Sequence, residues 1–401
     1  MDAKLICTNC DEVYEQETKT FRCTKCDEPL ELELVTNAKI NEGNVLEQNI
    51  LGRYSEFYPY LDNNVDISLG EGFTSLIKSN FLTNKIGIKG VYFKNEGENP
   101  TWSFKDRGTI TGVTRAINLG FKGIGTVSTG NMAASVSAYG AKAKIDTIIL
   151  VKEEIADEKL KPIAVYGSKL VKVRGDYGKL YLESIKLGYE NGFYFINSDS
   201  PFRVEGYKTI AFEIFEQLNH NIPDYVIVPT SAGGDIRGIE KGFRELKACG
   251  LTEKTPKIIA VQAAGCAPIA TAFKNGREKI ERFSNPHTIA HAIENPYPPS
   301  GNQVLRMIKK NGGIAVDVDD DEIINAQKLL AEEGIFGQPA SVTSLAALIK
   351  LKEEKYLSED DIVVNIVTAS GLKFTSALDQ HDLNTITIDI DNLKDIIKKE
   401  E

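Results

Sequence analysis

The sequence predicts a parallel α/β fold with a small cysteine-closed ribbon near its start. Three observations carry this. Short apolar runs such as Gly123–Val127 and Tyr225–Pro229 alternate with segments of helical pattern, the rhythm of βα units. Several of these runs feed directly into turns of Ser, Thr, Gly and Asn that open the next helix. Four of the six cysteines fall in two Cys-x-x-Cys pairs.

A chain of 401 residues is long enough for two or more domains and a large core. With 42% hydrophobic and 26% charged residues the composition is that of an ordinary globular protein. The net charge of −10 argues against sequence-independent nucleic-acid binding. There is no apolar run of about twenty residues, so no membrane helix and no membrane partner is expected. Met1-Asp2-Ala3-Lys4 lacks the basic-then-apolar start of a signal peptide, and the expected location is the cytoplasm. Internal repeats and low-complexity tracts are absent.

Residues 1–34 hold Cys7-x-x-Cys10, a gap of twelve residues, and Cys23-x-x-Cys26. Two such knuckles give one ion four thiolates, which suits tetrahedral Zn²⁺ and leaves no open position, so the site reads as structural. A pair of disulfides is the bland alternative, disfavoured in a reducing compartment. The segment has four basic against nine acidic residues, which favours a stabilising or protein-contact role. Cys249 and Cys266 are isolated and read as plain thiols.

Residues 35 to about 69 are polar, with aromatics at Tyr54, Phe57, Tyr58 and Tyr60, and Gly70–Leu76 forms a glycine-rich turn. A strand at Gly90–Lys94 leads to Asn99-Pro100-Thr101-Trp102-Ser103-Phe104-Lys105-Asp106-Arg107-Gly108, and a helix follows over Thr109–Leu119, closed by Gly120. Lys105 thus sits where a strand-loop becomes a helix. A partly desolvated lysine there loses ammonium character and can form a Schiff base with an aldehyde cofactor. The bland reading is a solvated lysine at a helix start.

The strand Gly123–Val127 runs into Ser128-Thr129-Gly130-Asn131, where hydroxyls and free amides at a helix N-terminus suit a carboxylate; a simple N-cap is the alternative. Strands at Asp146–Val151, Ser168–Val173 and Phe193–Ile196 alternate with helices at Glu153–Tyr166, interrupted by Pro162, and Gly178–Tyr189. No Gly-x-Gly-x-x-Gly with a following acid is present, which excludes the NAD-type fingerprint. In Asn197–Thr209, Arg203 with Asn197 and Ser198 suits a phosphate dianion, against a bland Asx turn and a surface Arg203–Glu205 pair.

Tyr225–Pro229 delivers Thr230-Ser231-Ala232-Gly233-Gly234-Asp235, whose small residues can close their amides around a second phosphate. After a strand at Lys257–Gln262 the chain reads as irregular up to Gly301. His287 and His291, four apart, share a helix face there but have no third ligand. Helices at Asp321–Gly334 and Val342–Glu354 precede a strand at Asp361–Val367, which delivers Thr368-Ala369-Ser370-Gly371-Leu372-Lys373. From Asp379 a short strand and a charged amphipathic helix are expected.

The decamer around Lys105 resembles Asn-Pro-Thr-Gly-Ser-Phe-Lys-Asp-Arg-Gly of the pyridoxal-phosphate enzymes of the tryptophan synthase β-like fold (fold type II), and among them the threonine synthases. The resemblance runs from Gly70 to Lys373. Gly70–Leu76 is similar to Gly-Glu-Gly-x-Thr-Pro-Leu, with Ser75 in place of proline. Asn197–Thr209 resembles Asn-Ser-x-Asn-Pro-x-Arg-x-Glu-Gly-Gln-Lys-Thr, with Tyr207 for glutamine. Thr368–Phe374 resembles Thr-Gly-His-Gly-Leu-Lys-Asp, with Ser370 for histidine and Phe374 for aspartate. Trp102 stands where the motif has glycine, and Ser231-Ala232 replaces the commoner Gly-Asn.

The resemblance implies two open-twisted α/β subdomains over residues 35–390, the smaller at roughly 111–200, with the cofactor in the cleft and residues 391–401 as a charged tail. It implies pyridoxal 5′-phosphate on Lys105, with Asn131 at the ring hydroxyl oxygen, Ser231–Asp235 at the phosphate and Thr368 at the pyridine nitrogen. Ser128 and Thr129 would take the substrate carboxylate, and Asn197, Ser198 and Arg203 its phosphate. Some relatives carry a similar N-terminal ribbon, and family habit implies a homodimer. The implied reaction turns O-phospho-L-homoserine and water into L-threonine and phosphate. The alternatives are a cysteate synthase using O-phosphoserine and sulfite, a dehydratase of an unphosphorylated hydroxy amino acid, and a catalytically retired binding protein.

Overall fold

The computed structural model describes all residues except 1, 2, 19, 44–48, 63–65, 176, 376, 377, 379, 380, 382–384 and 393–401. Strands β1 (Lys4–Cys7), β2 (Val13–Glu15) and β3 (Leu30–Leu32) form an antiparallel ribbon in the order β2-β1-β3. Leu5, Leu30 and Leu32 are buried and join the main core, so the ribbon is docked on the body rather than tethered beside it.

After the single turn α1 (Ile50–Arg53), β4 (Leu76–Ser79) runs into α2 (Asn80–Ile86). Ser79 caps that helix by accepting from the Leu82 amide. Strand β5 (Gly90–Asn95) pairs antiparallel with β4 and leads to α3 (Lys105–Asn118). The chain then builds a second sheet from β6 (Gly123–Val127), α4 (Asn131–Ala143), β7 (Asp146–Lys152), α5 (Asp157–Ala164), β8 (Lys169–Val173), α6 (Tyr177–Glu190) and β9 (Phe193–Phe195). Its four strands are parallel, in the order β8-β7-β6-β9.

Helices α7 (Pro201–Tyr207) and α8 (Thr209–Gln217) return the chain to the first sheet at β10 (Tyr225–Pro229). There follow α9 (Gly234–Ala248), β11 (Lys257–Ala263), α10 (Pro268–Lys274), α11 (Gly301–Asn311), β12 (Ile314–Val318), α12 (Asp320–Glu332), α13 (Pro339–Glu353) and β13 (Ile362–Val367). The completed sheet has the order β12-β11-β10-β13-β5-β4, parallel except for β4. Both faces of its central strands are covered. Val226 and Val228 pack to one side with Ile258 and Val364, while Ile227 packs to the other with Ile259 and Val363. Such strands read as unbroken apolar runs, which is why Tyr225–Pro229 was legible.

The last strand, β13, lies between β10 and β5, so three neighbouring parallel strands end along one edge. That edge receives the loop of Ser231–Asp235 from β10, Thr368 from β13 and the Lys105 loop from β5. Ligands of open α/β sheets bind beyond such carboxyl ends.

The structure departs from the expected pattern at several points. The helix expected over Glu153–Tyr166 is confined to Asp157–Ala164, with Pro162 inside it. The stretch expected to be irregular contains α10 and α11 begins at its end, and the edge strands β4 and β12 were not anticipated. His287 and His291 do not share a helix: His291 opens a short 3₁₀ turn and pairs with Glu294, while His287 bonds the Asn285 carbonyl. Residues 385–389 form no strand, a 3₁₀ turn spans Ile390–Asn392, and the rest of the expected tail helix lies outside the described residues.

Helices α3 and α7 cross at glycines. A Cβ on Gly206 would lie 2.0 Å from the Arg107 carbonyl oxygen, and one on Gly108 2.6 Å from the Tyr207 ring. Gly206→Ala gains about 1 kcal/mol of helix propensity, but the clash is with backbone and cannot relax cheaply. We expect a net loss of about 2 kcal/mol in chemical denaturation; unchanged stability would mean that the crossing is looser than described.

Candidate active site

Lys105 is the first residue of α3. The loop before it is stitched to the residues after β13: the Phe104 amide donates to the Thr368 carbonyl at 3.0 Å, and Ser103 bridges Ala369. The Lys105 Nζ lies 4.1 Å from the Phe104 ring centroid. Desolvation, joined by the charge of Arg203, pushes its amine down to about 7, against the opposing pull of Asp235. Lys373 adds to the downward push, and its own Nζ donates to the Thr101 carbonyl at 2.5 Å.

Arg203 is fully buried on α7 and is held in place by neutral partners. Its Nε donates to the Tyr207 hydroxyl at 2.9 Å, Nη1 to Thr109 Oγ1 at 3.3 Å and Nη2 to the Lys105 carbonyl at 3.4 Å. The Arg203–Glu205 pair weighed from sequence does not form; Glu205 instead pairs with Lys208 and Lys241. Asn197 is buried just after β9, accepting from the Val127 amide at the end of β6 at 3.1 Å and donating to Ser184 Oγ of α6 at 3.4 Å. Its amide shapes the loop that carries Ser198.

From β10 the chain passes through Ser231 and Ala232 to Gly233, whose φ of 97° is open to glycine at little cost. A Cβ on Gly233 would come 3.0 Å from Ser300 Cβ, and one on Gly234 3.0 Å from the Ser198 carbonyl. No side chain caps α9. Asp235, in its first turn, is buried, and neither carboxylate oxygen finds a partner among the described residues. Burial pushes this carboxyl up to about 8, with Lys105 opposing. Helix α4 likewise starts at Asn131 without a side-chain cap, after Ser128 and Thr129; Ser128 Oγ accepts from the Gly130 amide at 3.3 Å. Thr368 Oγ1 lies 2.8 Å from Ser341 Oγ, which also accepts from the Ala369 amide.

Residues 67–369 match the family model described as pyridoxal-phosphate dependent enzyme. The chain is 43% identical to the threonine synthase of Methanocaldococcus jannaschii, covering 90% of each chain. It is 41% identical to the threonine synthase of Methanosarcina acetivorans, covering 77% of this chain and 76% of that one. It belongs to the pyridoxal-phosphate-dependent enzymes, among the threonine synthases. The family's fold is visible in solved structures of low identity. The fungal L-serine ammonia-lyase of Rhizomucor miehei superposes with a TM-score of 0.64 at 22% identity, over 77% of this chain and 96% of that one. Maize serine racemase does so with a TM-score of 0.64 at 22% identity, over 76% and 90%.

The residues fit the cofactor of this pyridoxal-phosphate enzyme. Its aldehyde needs a neutral amine, which Lys105 supplies. Its phosphate needs unengaged amides and no side-chain bulk, which the uncapped Ser231–Gly234 turn supplies. A pyridine nitrogen needs a polar neighbour, for which Thr368 stands at the same edge. The ribbon at the N-terminal end brings its four cysteines together as free thiols. Their sulfurs lie within 4.8 Å of one another, with Cys7–Cys26 at 3.4 Å and Cys10–Cys23 at 3.6 Å. Tetrahedral Zn–S bonds of about 2.3 Å place sulfurs about 3.8 Å apart.

Sequence reasoning missed the roles of Tyr207, Ser341 and the Asp235 side chain. Tyr207 was visible as a departure from the motif, and an aromatic hydroxyl four residues after an arginine on a helix is a usable signal. Ser341 lies 27 residues from Thr368 and had none.

A lysine with its pKa near 7 has a neutral amine available well below the usual 10.5. Capture of pyridoxal phosphate by the apoenzyme is therefore expected to accelerate as pH rises through about 7 and to level off above it, read by stopped-flow absorbance. Acceleration continuing towards about pH 10 would show that Lys105 is not depressed.

Proposed function

We propose that this chain converts O-phospho-L-homoserine and water to L-threonine and phosphate. One observation carries the reading: a lysine with a lowered pKa lies beside a separate buried guanidinium, Arg203, in a chain this similar to threonine synthases. When bound, pyridoxal phosphate supplies the electron sink that lets protons leave Cα and then Cβ of the substrate. Lys105, as a free amine, carries protons to and from those carbons. Arg203 and Ser198 face the departing phosphate, with Asn197 holding the loop of Ser198, and Tyr207 fixes the guanidinium so that little reorganisation accompanies the phosphate's departure. Ser128, Thr129 and the N-terminus of α4 orient the carboxylate, and Asn131 binds the cofactor's ring oxygen.

The test supplies loaded enzyme with O-phosphohomoserine, or with O-phosphoserine and sulfite, and follows phosphate and the amino acid formed. Phosphate with threonine from the first mixture is expected; cysteate from the second alone would reassign the substrate. Lys105→Ala should lower kcat by about a thousandfold or more, and borohydride reduction should leave the cofactor's mass on the Lys105 peptide of the native protein only.

The ribbon binds one structural Zn²⁺ through Cys7, Cys10, Cys23 and Cys26 in this proposal. Elemental analysis is expected to return about one zinc per chain, and stripping it should lower the melting temperature. Stoichiometric zinc that survives replacement of both Cys7 and Cys23 would place the metal elsewhere.

A further inference from the structure

Arg22 immediately precedes the second cysteine knuckle and leaves the ribbon for the catalytic body. Its Nε pairs with Asp27 Oδ1 at 2.9 Å and its Nη2 bonds the Asp27 carbonyl, so the knuckle fixes the guanidinium. Its Nη1 donates to the Pro299 carbonyl at 2.9 Å and lies 3.6 Å from Asp199 Oδ2. These two partners sit on loops that both pack against the Ser231–Asp235 turn. The Asp199 loop places the Ser198 carbonyl against Gly234, and the Pro299 loop places Ser300 against Gly233 and donates the Ser300 amide to the Ala232 carbonyl at 3.2 Å.

The helix that this turn opens is gripped by the ribbon as well. Arg237, Lys241 and Arg244 form one stripe of α9, at intervals of four and three. Arg237 donates to the Leu30 carbonyl at 3.1 Å and to Ser300 Oγ at 3.0 Å. Lys241 donates to the Leu32 carbonyl at 2.6 Å, and Arg244 pairs with Glu31 at 2.8 Å. Asp199 is 1% exposed, and apart from Arg22 it has the Tyr181 hydroxyl as partner for its other oxygen. Removing Arg22 takes the ion-pair partner from a buried carboxylate, which favours movement of the loop that carries it.

We propose that Arg22 is a positioning residue for the cofactor: it ties the loops of Ser198 and Ser300 together across the Ser231–Asp235 turn, so that the phosphate site closes only while the ribbon is folded. The proposal rests on cofactor binding and is independent of which substrate is used.

The experiment measures the dissociation constant of pyridoxal phosphate in the full-length protein, well below its melting temperature. Arg22→Ala is expected to weaken binding about tenfold, an ordinary size for coupling between sites. Arg22→Lys, which reaches one partner but not both, should fall between the variant and the native protein. Asp199→Asn should also weaken binding, and the Arg22→Ala/Asp199→Asn pair should fall short of the product of the two effects, since both act through one contact. Cys10→Ser, which removes the exposed ribbon thiolate, tests the same link if Arg22→Ala does not fold, with metal content measured alongside. An unchanged constant in Arg22→Ala, a multiplicative double variant, or metal lost from Cys10→Ser without weaker cofactor binding would each overturn the proposal.

Discussion

The fold around the site depends on one fully buried guanidinium, Arg107. Its Nε and Nη2 bond Glu96 at 2.6 and 2.8 Å, and its Nη1 and Nη2 bond Glu213 at 2.5 and 2.8 Å. Lys94 completes the cluster at 2.7 Å from Glu213. Burying these ions carries a desolvation penalty of several kcal/mol each, offset only because every lobe of the guanidinium is matched. The cluster binds the end of β5, the first turn of α3, helix α8 and the 72–74 turn, whose Phe73 amide donates to Glu213 at 2.7 Å. Burial raises the cost of charge on Glu213, but Arg107 and Lys94 overcome it and hold that carboxyl at about 2. Successive residues of a helix point about 100° apart, so Arg107 and Lys105 face away from each other. Anchoring the first is what lets the second face the sheet edge.

The site then gains its reactivity from charges placed close together. Arg203 is held by hydroxyls and a carbonyl rather than by a carboxylate, so its charge is not cancelled before it reaches Lys105. Asp235 is the local counterweight, buried and without hydrogen bonds among the described residues. Burial drives both Lys105 and Asp235 towards neutrality, and their mutual attraction resists it. Such a balance costs stability and is characteristic of a site kept for function.

Much of this was legible in the sequence where the signal is local. The runs Gly123–Val127 and Tyr225–Pro229 have the bounds read from their apolar pattern, because parallel strands buried on both faces leave no polar interruption. The turns after them announced themselves by small residues. What was not legible is what depends on distant partners. Asp106 and Arg107 are adjacent, yet Asp106 bonds Thr101 while Arg107 reaches Glu213, 106 positions on. The docking of the ribbon rests on contacts such as Arg22 to Pro299, 277 positions apart, which no window of sequence contains. Strands β4 and β12 lie at the sheet's edges and are only partly buried, so their patterns are mixed.

The departures from the family motifs also become intelligible once the segments are seen side by side. Trp102 has φ 61°, a region that side chains with a Cβ enter at a cost of about 1 kcal/mol or more, which is why the motif has glycine there. Its backbone leaves no choice: the Trp102 amide donates to the Asn99 carbonyl at 2.7 Å, and its own carbonyl accepts from the Ser370 amide at 3.0 Å. Ser370, the second departure, is therefore the direct backbone partner of the first, and it bridges Gly337 on its other side. Thr101 and Ser103 point inward and are buried, whereas the indole between them is half exposed. The strain at Trp102 is held by pairing on both sides of the residue, and the Lys105 loop keeps its course because Phe104, Trp102 and Thr101 are each bonded to residues 368–373. A side chain can thus be exchanged at position 102 without moving the lysine three residues on, because the position of Lys105 is set by the backbone pairing with the end of β13 and by the anchored helix behind it.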